Sequence, residues 1–274
     1  MLEERIRDAR LRAYYVGFDQ LKFRLDALAT VIVNVIPEFA LGLYQGDAVE
    51  LVSIVPRLRE AARRIYSTDQ YQKRGEFGEL VLHLLLRDFC RSVPLISKIY
   101  FKDTDNATVH GFDAVHAVED GDRKALWLGE SKLYDDGKAG VRELLNDLTR
   151  HLGADYLRRE FALISTKLPE PADAIDSWRA RLHEHQKLDT ILDGLCIPLV
   201  CTYTSAVYTD HSDNTPDCAA AFLAESRELY ELFEPGYASM PPPTVDVVLM
   251  LVPVASKAAL VTELHRRLLA MQTI

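Results

Sequence analysis

Apolar residues recur every three or four positions along several long stretches of the chain, the spacing that buries one face of a helix. Between residues 21 and 39 this spacing predicts a helix that Pro37 bends or ends. Pro56 is expected to kink a second helix, which Asp47 caps. The full set of ranges with helical spacing is 2–12, 21–39, 47–66, 75–90, 140–160, 175–194, 219–233 and 256–271.

Shorter apolar runs predict strands, and their order along the chain indicates the fold. The predicted strands are 95–101, 108–119, 123–132, 196–203 and 245–254. Helices come first, then a hairpin, then alternating helices and strands, so we expect a mixed α/β fold with a mixed central sheet flanked by helices. Residues 1–70 are predicted to form a helical elaboration that packs on a core of residues 71–274, as one compact unit.

The hairpin has a register that can be worked out from its turn. Asp120-Gly121 is a strong two-residue turn signal between alternating strands. With that turn, Asp113 lies opposite Leu128 and diagonal to Glu130, with backbones roughly 7–8 Å apart.

The same ladder predicts which side chains share a face. Because side chains alternate along a strand, Asp113, Glu130 and Lys132 fall on one face and Ser131 on the other. Apolar residues occupy the rest of that face, Leu126 among them. A solvated strand rarely carries its charges at the end of an apolar face, so this arrangement favours a functional site.

Two carboxylates and a lysine at this position suit phosphodiester cleavage. Carboxylates hold a hard cation such as Mg²⁺, which activates water, and a lysine stabilises the developing negative charge. Glu79, near the start of its helix, is the natural third acid, and the small residues Gly75 and Gly78 are expected to let that helix approach the sheet closely.

Plainer interpretations of the same residues stay open. The strand acids could belong to a solvated sheet face, and Glu79 could complement the helix dipole. Lys132 could be a strand-end lysine whose stem covers apolar surface.

Overall composition limits the function classes. The chain has 274 residues, 48% apolar and 27% charged, and its net charge is 32 minus 41, or -9. This balance argues against a large basic surface that clamps nucleic acid unaided. The four cysteines lack zinc-type spacing and are expected to be free, buried thiols. The charged N-terminus shows no secretion signal and residues 245–254 are too short to span a bilayer, so the cytoplasm is the expected location.

A second group of polar residues follows the hairpin. Arg142, Asn146 and Arg150 are four residues apart on one predicted helix face, where they could contact a phosphate backbone. A solvated helix face is the plainer interpretation. His83 and His116 are expected to be structural, and His116 is expected to face away from Asp113.

Three segments together resemble a known family. They are KRGEFGE at 73–79, GFD at 111–113 and WLGESK at 127–132. Their ordered acids and lysine resemble the PD-(D/E)xK nuclease superfamily, with Phe112 where many members have proline. More closely, the segments resemble the HamA subunit of the Hachiman anti-phage defence system.

The resemblance implies a fold, an activity and a partner. It implies a restriction-endonuclease-like core that cleaves DNA with Mg²⁺, for which Mn²⁺ can substitute. It also implies that the chain acts with a HamB-like helicase. The residues that would carry the activity are Glu79, Asp113, Glu130 and Lys132, the three acids being the metal ligands.

Two other functions stay open at this point. The chain could be a non-cutting adaptor that regulates a helicase, or a restriction or repair nuclease of the same fold that acts alone. The intact acids and lysine argue against an adaptor, and the absence of a recognisable DNA-reading motif argues against a free-standing nuclease. No Walker loop is present, so no ATP hydrolysis is expected in this chain.

Overall fold

One mixed sheet forms the centre of the protein. The structure, a computed structural model, describes residues 2–6, 9–42, 50–66, 75–97, 111–120, 123–167, 192, 194–240 and 245–274. Its strands are β1 (Leu2–Ile6), β2 (Ala9–Ala13), β3 (Phe18–Asp19), β4 (Lys22–Phe23), β5 (Val93–Ser97), β6 (Ala114–Asp120), β7 (Arg123–Tyr134), β8 (Leu195–Thr204) and β9 (Asp246–Val254). Seven of them pair in the order β1-β2-β9-β8-β7-β6-β5.

The sheet changes from parallel to antiparallel pairing at β7. Strands β2, β9, β8 and β7 are mutually parallel, whereas β6 and β5 run antiparallel to their neighbours and β1 is antiparallel to β2. Strands β3 and β4 form a separate small hairpin. The predicted mixed sheet is therefore confirmed.

Helices cover both faces of this sheet. They are α1 (Leu25–Asn34), α2 (Ile36–Leu41), α3 (Ile54–Ile65), α4 (Glu76–Cys90), α5 (Gly137–His151), α6 (Ala154–Lys167), α7 (Val207–Asp210), α8 (Pro216–Ala238) and α9 (Lys257–Thr273), with a 3-10 turn at Leu51–Ser53. Helices α5, α6 and α8 contribute to one apolar cluster, on what we call the α5 face. Helices α1 to α4 and α9 contribute to the other, on the α4 face.

Period-two alternation explains how one strand serves both clusters. In β9, Val247 and Leu249 pack on the α5 face, while Val248 and Met250 pack on the α4 face, and all four are fully buried. A central parallel strand with both faces covered is apolar throughout. Strands β8 and β9 are such strands, and their positions confirm the strands predicted at 196–203 and 245–254.

The predicted helix over residues 2–12 is wrong, because those residues form β1 and β2. Strand β2 pairs with β9 in parallel, and its Leu11 and Ala13 are buried on the α5 face. Arg10 forms an ion pair of 3.2 Å with Asp246 on β9. Pairing with a strand from the far end of the chain thus overrides the local helical spacing.

Other helix predictions need smaller corrections. The helix predicted over 21–39 divides into α1 and α2 at Val35, and Pro37 lies at the start of α2, as expected of a proline that ends a helix. Pro56 does not kink α3, because it lies in the first turn, where backbone N–H groups have no intrahelical partner. The helix predicted over 140–160 is two helices that meet at Gly153.

Some predictions fall on residues that the structure does not describe. Asp47 and nearly all of the helix predicted over 175–194 lie outside the described residues. All four cysteines are described and free, and three are buried while Cys90 is half-buried. Among the described helices, none combines the length and apolar character that a membrane span requires.

Candidate active site

The candidate site lies where β7 runs on past the start of β6. Ala114, the first residue of β6, pairs with Gly129, and Asp120 pairs with Arg123. The predicted register is therefore wrong by two residues, since Val115 lies opposite Leu128 where Asp113 was expected. The turn lies one residue later than the Asp-Gly signal indicated. Beyond Gly129, β7 continues beside β8 alone in the described ladder.

Asp113 lies in a bend just before β6 and is held by the neighbouring strand. Its backbone N–H donates to the carbonyl of Gly129 at 2.8 Å. Its carboxylate oxygen Oδ2 accepts from the backbone N–H of Ser131 at 2.9 Å and from the Ser131 hydroxyl at 2.8 Å. A carboxylate that accepts two such bonds has a fixed orientation.

These bonds correct the predicted faces. Asp113 and Ser131 were expected on opposite faces of the sheet, yet their side chains are hydrogen-bonded. Ala114 already pairs with Gly129, so Asp113, which bonds to the same Gly129, is outside the regular ladder and the alternation stops before it. The hydroxyl of Ser131 faces the start of α4, 3.3 Å from where a Cβ on Gly78 would lie.

Glu130 and Lys132 lie together with two residues of α5. The ammonium of Lys132 donates to Glu130 Oε1 at 3.0 Å and also forms an ion pair with Asp147. His151 Nδ1 lies 3.8 Å from Glu130 Oε2. Leu126 and Leu128 precede Glu130 at two-residue spacing along β7 and belong to the apolar cluster of the α5 face, as the alternation predicted.

Sequence reasoning missed Asp147 and His151, although a signal for them was present. Both lie on the inner stripe of α5 with Val141, Leu144 and Leu148, at the spacing that the apolar residues define. A polar residue on a core-facing stripe is the informative exception to apolar burial. Nothing in the ladder, in contrast, indicated the role of Ser131, because alternation directed it away from Asp113.

Aromatic rings surround His151 and connect it to the segment before Asp113. The ring of His151 stacks on Tyr156 at 4.6 Å and meets the edge of Phe112 at 4.8 Å. Phe112 is 1% exposed. Helices α5 and α6 thus pack directly on the residue that precedes the candidate acid.

A further buried acid supports the same segment. Glu160 of α6 accepts from the backbone N–H of Phe112 at 3.3 Å. A Cβ on Gly111 would lie 2.8 Å from Glu160 Oε1, so a larger residue there would push this carboxylate away from its present position. Two helix acids, Asp147 and Glu160, therefore contact the two segments that carry Asp113 and Lys132.

Glu79 lies in the first turn of α4, which approaches the end of β7. A Cβ on Gly78 would lie 3.6 Å from Leu133 as well as close to Ser131, so the prediction that Gly78 allows close approach is confirmed. The same prediction for Gly75 is wrong, because a Cβ there would have no described atom within 4 Å. Glu79 is only 7% exposed, so it is not a surface acid that does no more than complement the helix dipole.

Burial separates this group from an ordinary solvated sheet face. Asp113 is 4% exposed, Glu130 6% and Asp147 2%. Charged groups are rarely buried unless paired, and a buried, paired cluster of acids marks a candidate functional site. The solvated-face interpretation is therefore wrong for Asp113 and Glu130. The ammonium of Lys132 is ion-paired with Glu130 and Asp147.

The histidines away from this group have structural surroundings. His116 faces α4, where its Nδ1 lies 2.8 Å from the Ser92 hydroxyl and its ring meets that of His83 at 5.2 Å. Burial lowers the pKa of both histidines, to about 3 for His83, so both are neutral near pH 7. His116 was predicted to face away from Asp113 by strand alternation, but the regular ladder starts at Ala114 and does not include Asp113, so alternation does not relate the two side chains.

Arg142, Asn146 and Arg150 are exposed along α5, as their spacing predicted. Asn146 donates to Glu143 at 3.3 Å, and Arg150 pairs with Asp147. Through Asp147, Arg150 is connected to Lys132. This face is accessible to a ligand, while a contact with nucleic acid stays a prediction.

The donor chemistry of the site fits a hard cation. Asp113 and Glu130 provide carboxylate oxygens near the same end of β7, and oxygen ligands are those that Mg²⁺ prefers. In the described part of the chain, no group of three or more His, Cys, Asp or Glu side chains is arranged to hold a metal ion. The described carboxylates are instead engaged by protein donors, Asp113 by Ser131 and Glu130 by Lys132.

Comparison with known proteins gives the family. The model of the HamA family matches residues 2–268, nearly the whole chain, and the chain belongs to that family, a component of the Hachiman anti-phage defence system. A search of curated proteins found no match.

Proposed function

We propose that this member of the HamA family is a metal-dependent deoxyribonuclease and the effector subunit of a helicase-coupled defence complex. The observation that carries the proposal is the buried pair of Glu130 and Lys132 beside the hydrogen-bonded Asp113, where β7 runs past β6. In this proposal the sheet with α4 and α5 on its two faces is a restriction-endonuclease-like core.

Each residue has a defined part in the proposed chemistry. Asp113 and Glu130 would hold Mg²⁺ or Mn²⁺, with Glu79 as the third acid. The bound metal would supply an activated water and neutralise charge on the phosphate. Ser131 orients the carboxylate of Asp113 through two hydrogen bonds. Lys132 places its ammonium beside Glu130, where it can stabilise negative charge on the scissile phosphate.

The charge distribution supports dependence on a partner. At a net charge of -9 the chain repels polyanions overall, and phosphate contacts dominate the affinity of proteins for DNA. The exposed side of α5, with Arg142, Asn146 and Arg150, is the proposed local contact for the phosphate backbone. A HamB-like helicase would then deliver DNA that the isolated chain binds weakly.

A cleavage assay tests the proposal. Plasmid and linear DNA are incubated with Mg²⁺ and the chain, with and without the HamB-like helicase. Asp113→Asn, Lys132→Ala and Glu79→Gln are compared with Lys138→Ala as a control. Lys138 is an exposed lysine at the start of α5, paired with Glu228 and apart from the buried acids. We expect cleavage that needs the helicase, is lost in Asp113→Asn and Lys132→Ala, is reduced in Glu79→Gln, and persists in Lys138→Ala.

The other outcomes decide between the remaining functions. Cleavage by the chain alone, at the rate seen with helicase, would indicate a free-standing nuclease. Helicase binding without cleavage of DNA or RNA under any condition would indicate an adaptor. Unchanged cleavage in folded Asp113→Asn would show that the acid is structural and that the proposed site is wrong.

A further inference from the structure

Lys132 is held by an acid that the nuclease motif does not include. Its ammonium is shared between Glu130 on its own strand and Asp147 on α5. The two acids come from different elements, so the position of the ammonium depends on how α5 packs against β7. The side chain of Lys132 keeps 20% of its surface exposed, while that of Asp147 keeps 3%.

The burial of Asp147 has no explanation in packing alone. It lies on the inner stripe of α5 between Leu144 and Leu148, where an apolar residue would satisfy the core. A buried ion pair is often no more stabilising than an apolar pair of the same volume. A charge at this position is therefore better explained by what it does to Lys132.

Geometry indicates what that effect is. An ammonium has three N–H donors, and two acceptors from different directions define where it lies. With Glu130 as its only acceptor, Lys132 could follow that side chain through its flexible stem. With Asp147 as a second acceptor, the ammonium is held between β7 and α5, and its third donor can serve a phosphate oxygen.

We infer that Asp147 is a positioning residue that holds Lys132 in place for phosphodiester cleavage. This inference rests on the proposed nuclease function and deepens it. Asp147 acts through Lys132 and needs no contact with the substrate or the metal. Arg150, which pairs with Asp147 from the surface, extends the same connection toward the exposed side of α5.

The test combines kinetics with a measurement that does not need activity. The full chain with its HamB-like helicase cleaves labelled DNA at saturating Mg²⁺, and kcat and KM are measured for Asp147→Asn and Asp147→Glu. The matched control is Glu228→Gln, because Glu228, like Asp147, pairs with a lysine, but its partner Lys138 and the pair itself lie at the exposed surface. Competitive acylation followed by mass spectrometry measures the reactivity of Lys132 in each folded variant.

The inference predicts a particular pattern of changes. Asp147→Asn keeps the shape but removes the charge, so kcat should fall about 10- to 100-fold through misplacement of the reacting groups, with little change in KM. Asp147→Glu keeps the charge and should restore part of kcat. Acylation of Lys132 should be faster in Asp147→Asn and unchanged in Glu228→Gln.

Contrary outcomes are distinct from failure of the nuclease proposal. Equal loss of kcat in Asp147→Asn and Asp147→Glu, with unchanged acylation of Lys132, would show that Asp147 only fills space and would overturn the inference. If the wild-type chain does not cleave, the nuclease proposal fails. The acylation rate of Lys132 is then the measurement that tests whether Asp147 holds Lys132 in place. Faster acylation of Lys132 in Asp147→Asn would then still support a holding role, and unchanged acylation would refute it.

Discussion

The close contact between α5 and β8 gives a prediction with a defined magnitude. Gly140 lies in the first turns of α5, and a Cβ there would lie 2.5 Å from Cys201 Sγ and 3.4 Å from Tyr134 Cβ. Cys201 is fully buried, so its thiol has little space into which it can move. Gly140→Ala must therefore displace either the thiol or the helix that carries Asp147 and His151.

Two opposing effects set the net change in the free energy of unfolding. Replacing glycine by alanine within a helix stabilises it by about 1 kcal/mol. Overpacking a buried contact costs about 1–3 kcal/mol, and a 2.5 Å approach should cost an amount near the upper end. We expect Gly140→Ala to lower the free energy of unfolding by about 1–2 kcal/mol.

The partner in the contact provides the control. Cys201→Ala alone removes a buried sulfur and leaves a void, which should cost about 1 kcal/mol. In the double variant the new methyl group occupies that void. The double variant should therefore be more stable than the sum of the two changes predicts, by about 1 kcal/mol or more of coupling.

Urea unfolding of the four proteins measures this coupling. Midpoints are compared by circular dichroism, with unchanged slopes as the check that the unfolded states are alike. Strict additivity of the two substitutions would refute the packing that we describe between α5 and β8. A more stable Gly140→Ala would show that the helix moves without strain.

Three further predictions concern other parts of the fold. Folded His83 binds fewer protons than unfolded His83 between its ordinary pKa of 6.5 and about 3, so the free energy of unfolding should fall as pH drops through that window. His83→Leu should flatten this decrease by up to about 1.4 kcal/mol per pH unit in urea titrations, and an equal slope would contradict the buried neutral ring. Gly111→Ala should lower DNA cleavage and the melting temperature, because the added Cβ would lie 2.8 Å from Glu160 Oε1. Adding Glu160→Ala should partly relieve both effects. A thiol reagent should modify half-buried Cys90 in the folded chain but Cys196 only after unfolding, since burial raises the pKa of that thiol to about 12.

Local patterns were sufficient for the elements that are buried in a regular way. The apolar runs of β8 and β9 have both faces covered. Apolar spacing also predicted α4, although its residues 76–86 are buried on all sides. Each of these signals depends only on neighbours along the chain. Strands β1 and β2 escaped prediction because what stabilises β2 is pairing with β9, more than two hundred residues away in sequence.

In the candidate site, too, local patterns placed some residues, while others depend on contacts that are distant in sequence. Glu130 and Lys132 could be placed on one face from strand alternation, which a two-residue register error does not alter. Asp113 could not, because it lies in a bend where its bond to Gly129 interrupts the ladder. Asp147 was visible on the apolar stripe of α5, but only the packing of α5 on β7 shows that Lys132 is its partner.

The central claim is that Glu130 belongs to a metal-dependent cleavage site. The most direct measurement is the rate of DNA cleavage as Mg²⁺ is titrated, for the helicase-bound wild-type chain, Glu130→Gln and the exposed-acid control Glu228→Gln. We expect wild type and Glu228→Gln to cleave with the same Mg²⁺ dependence, while folded Glu130→Gln does not cleave at any Mg²⁺ concentration. Cleavage by Glu130→Gln at the wild-type rate and with the wild-type Mg²⁺ dependence would contradict the claim.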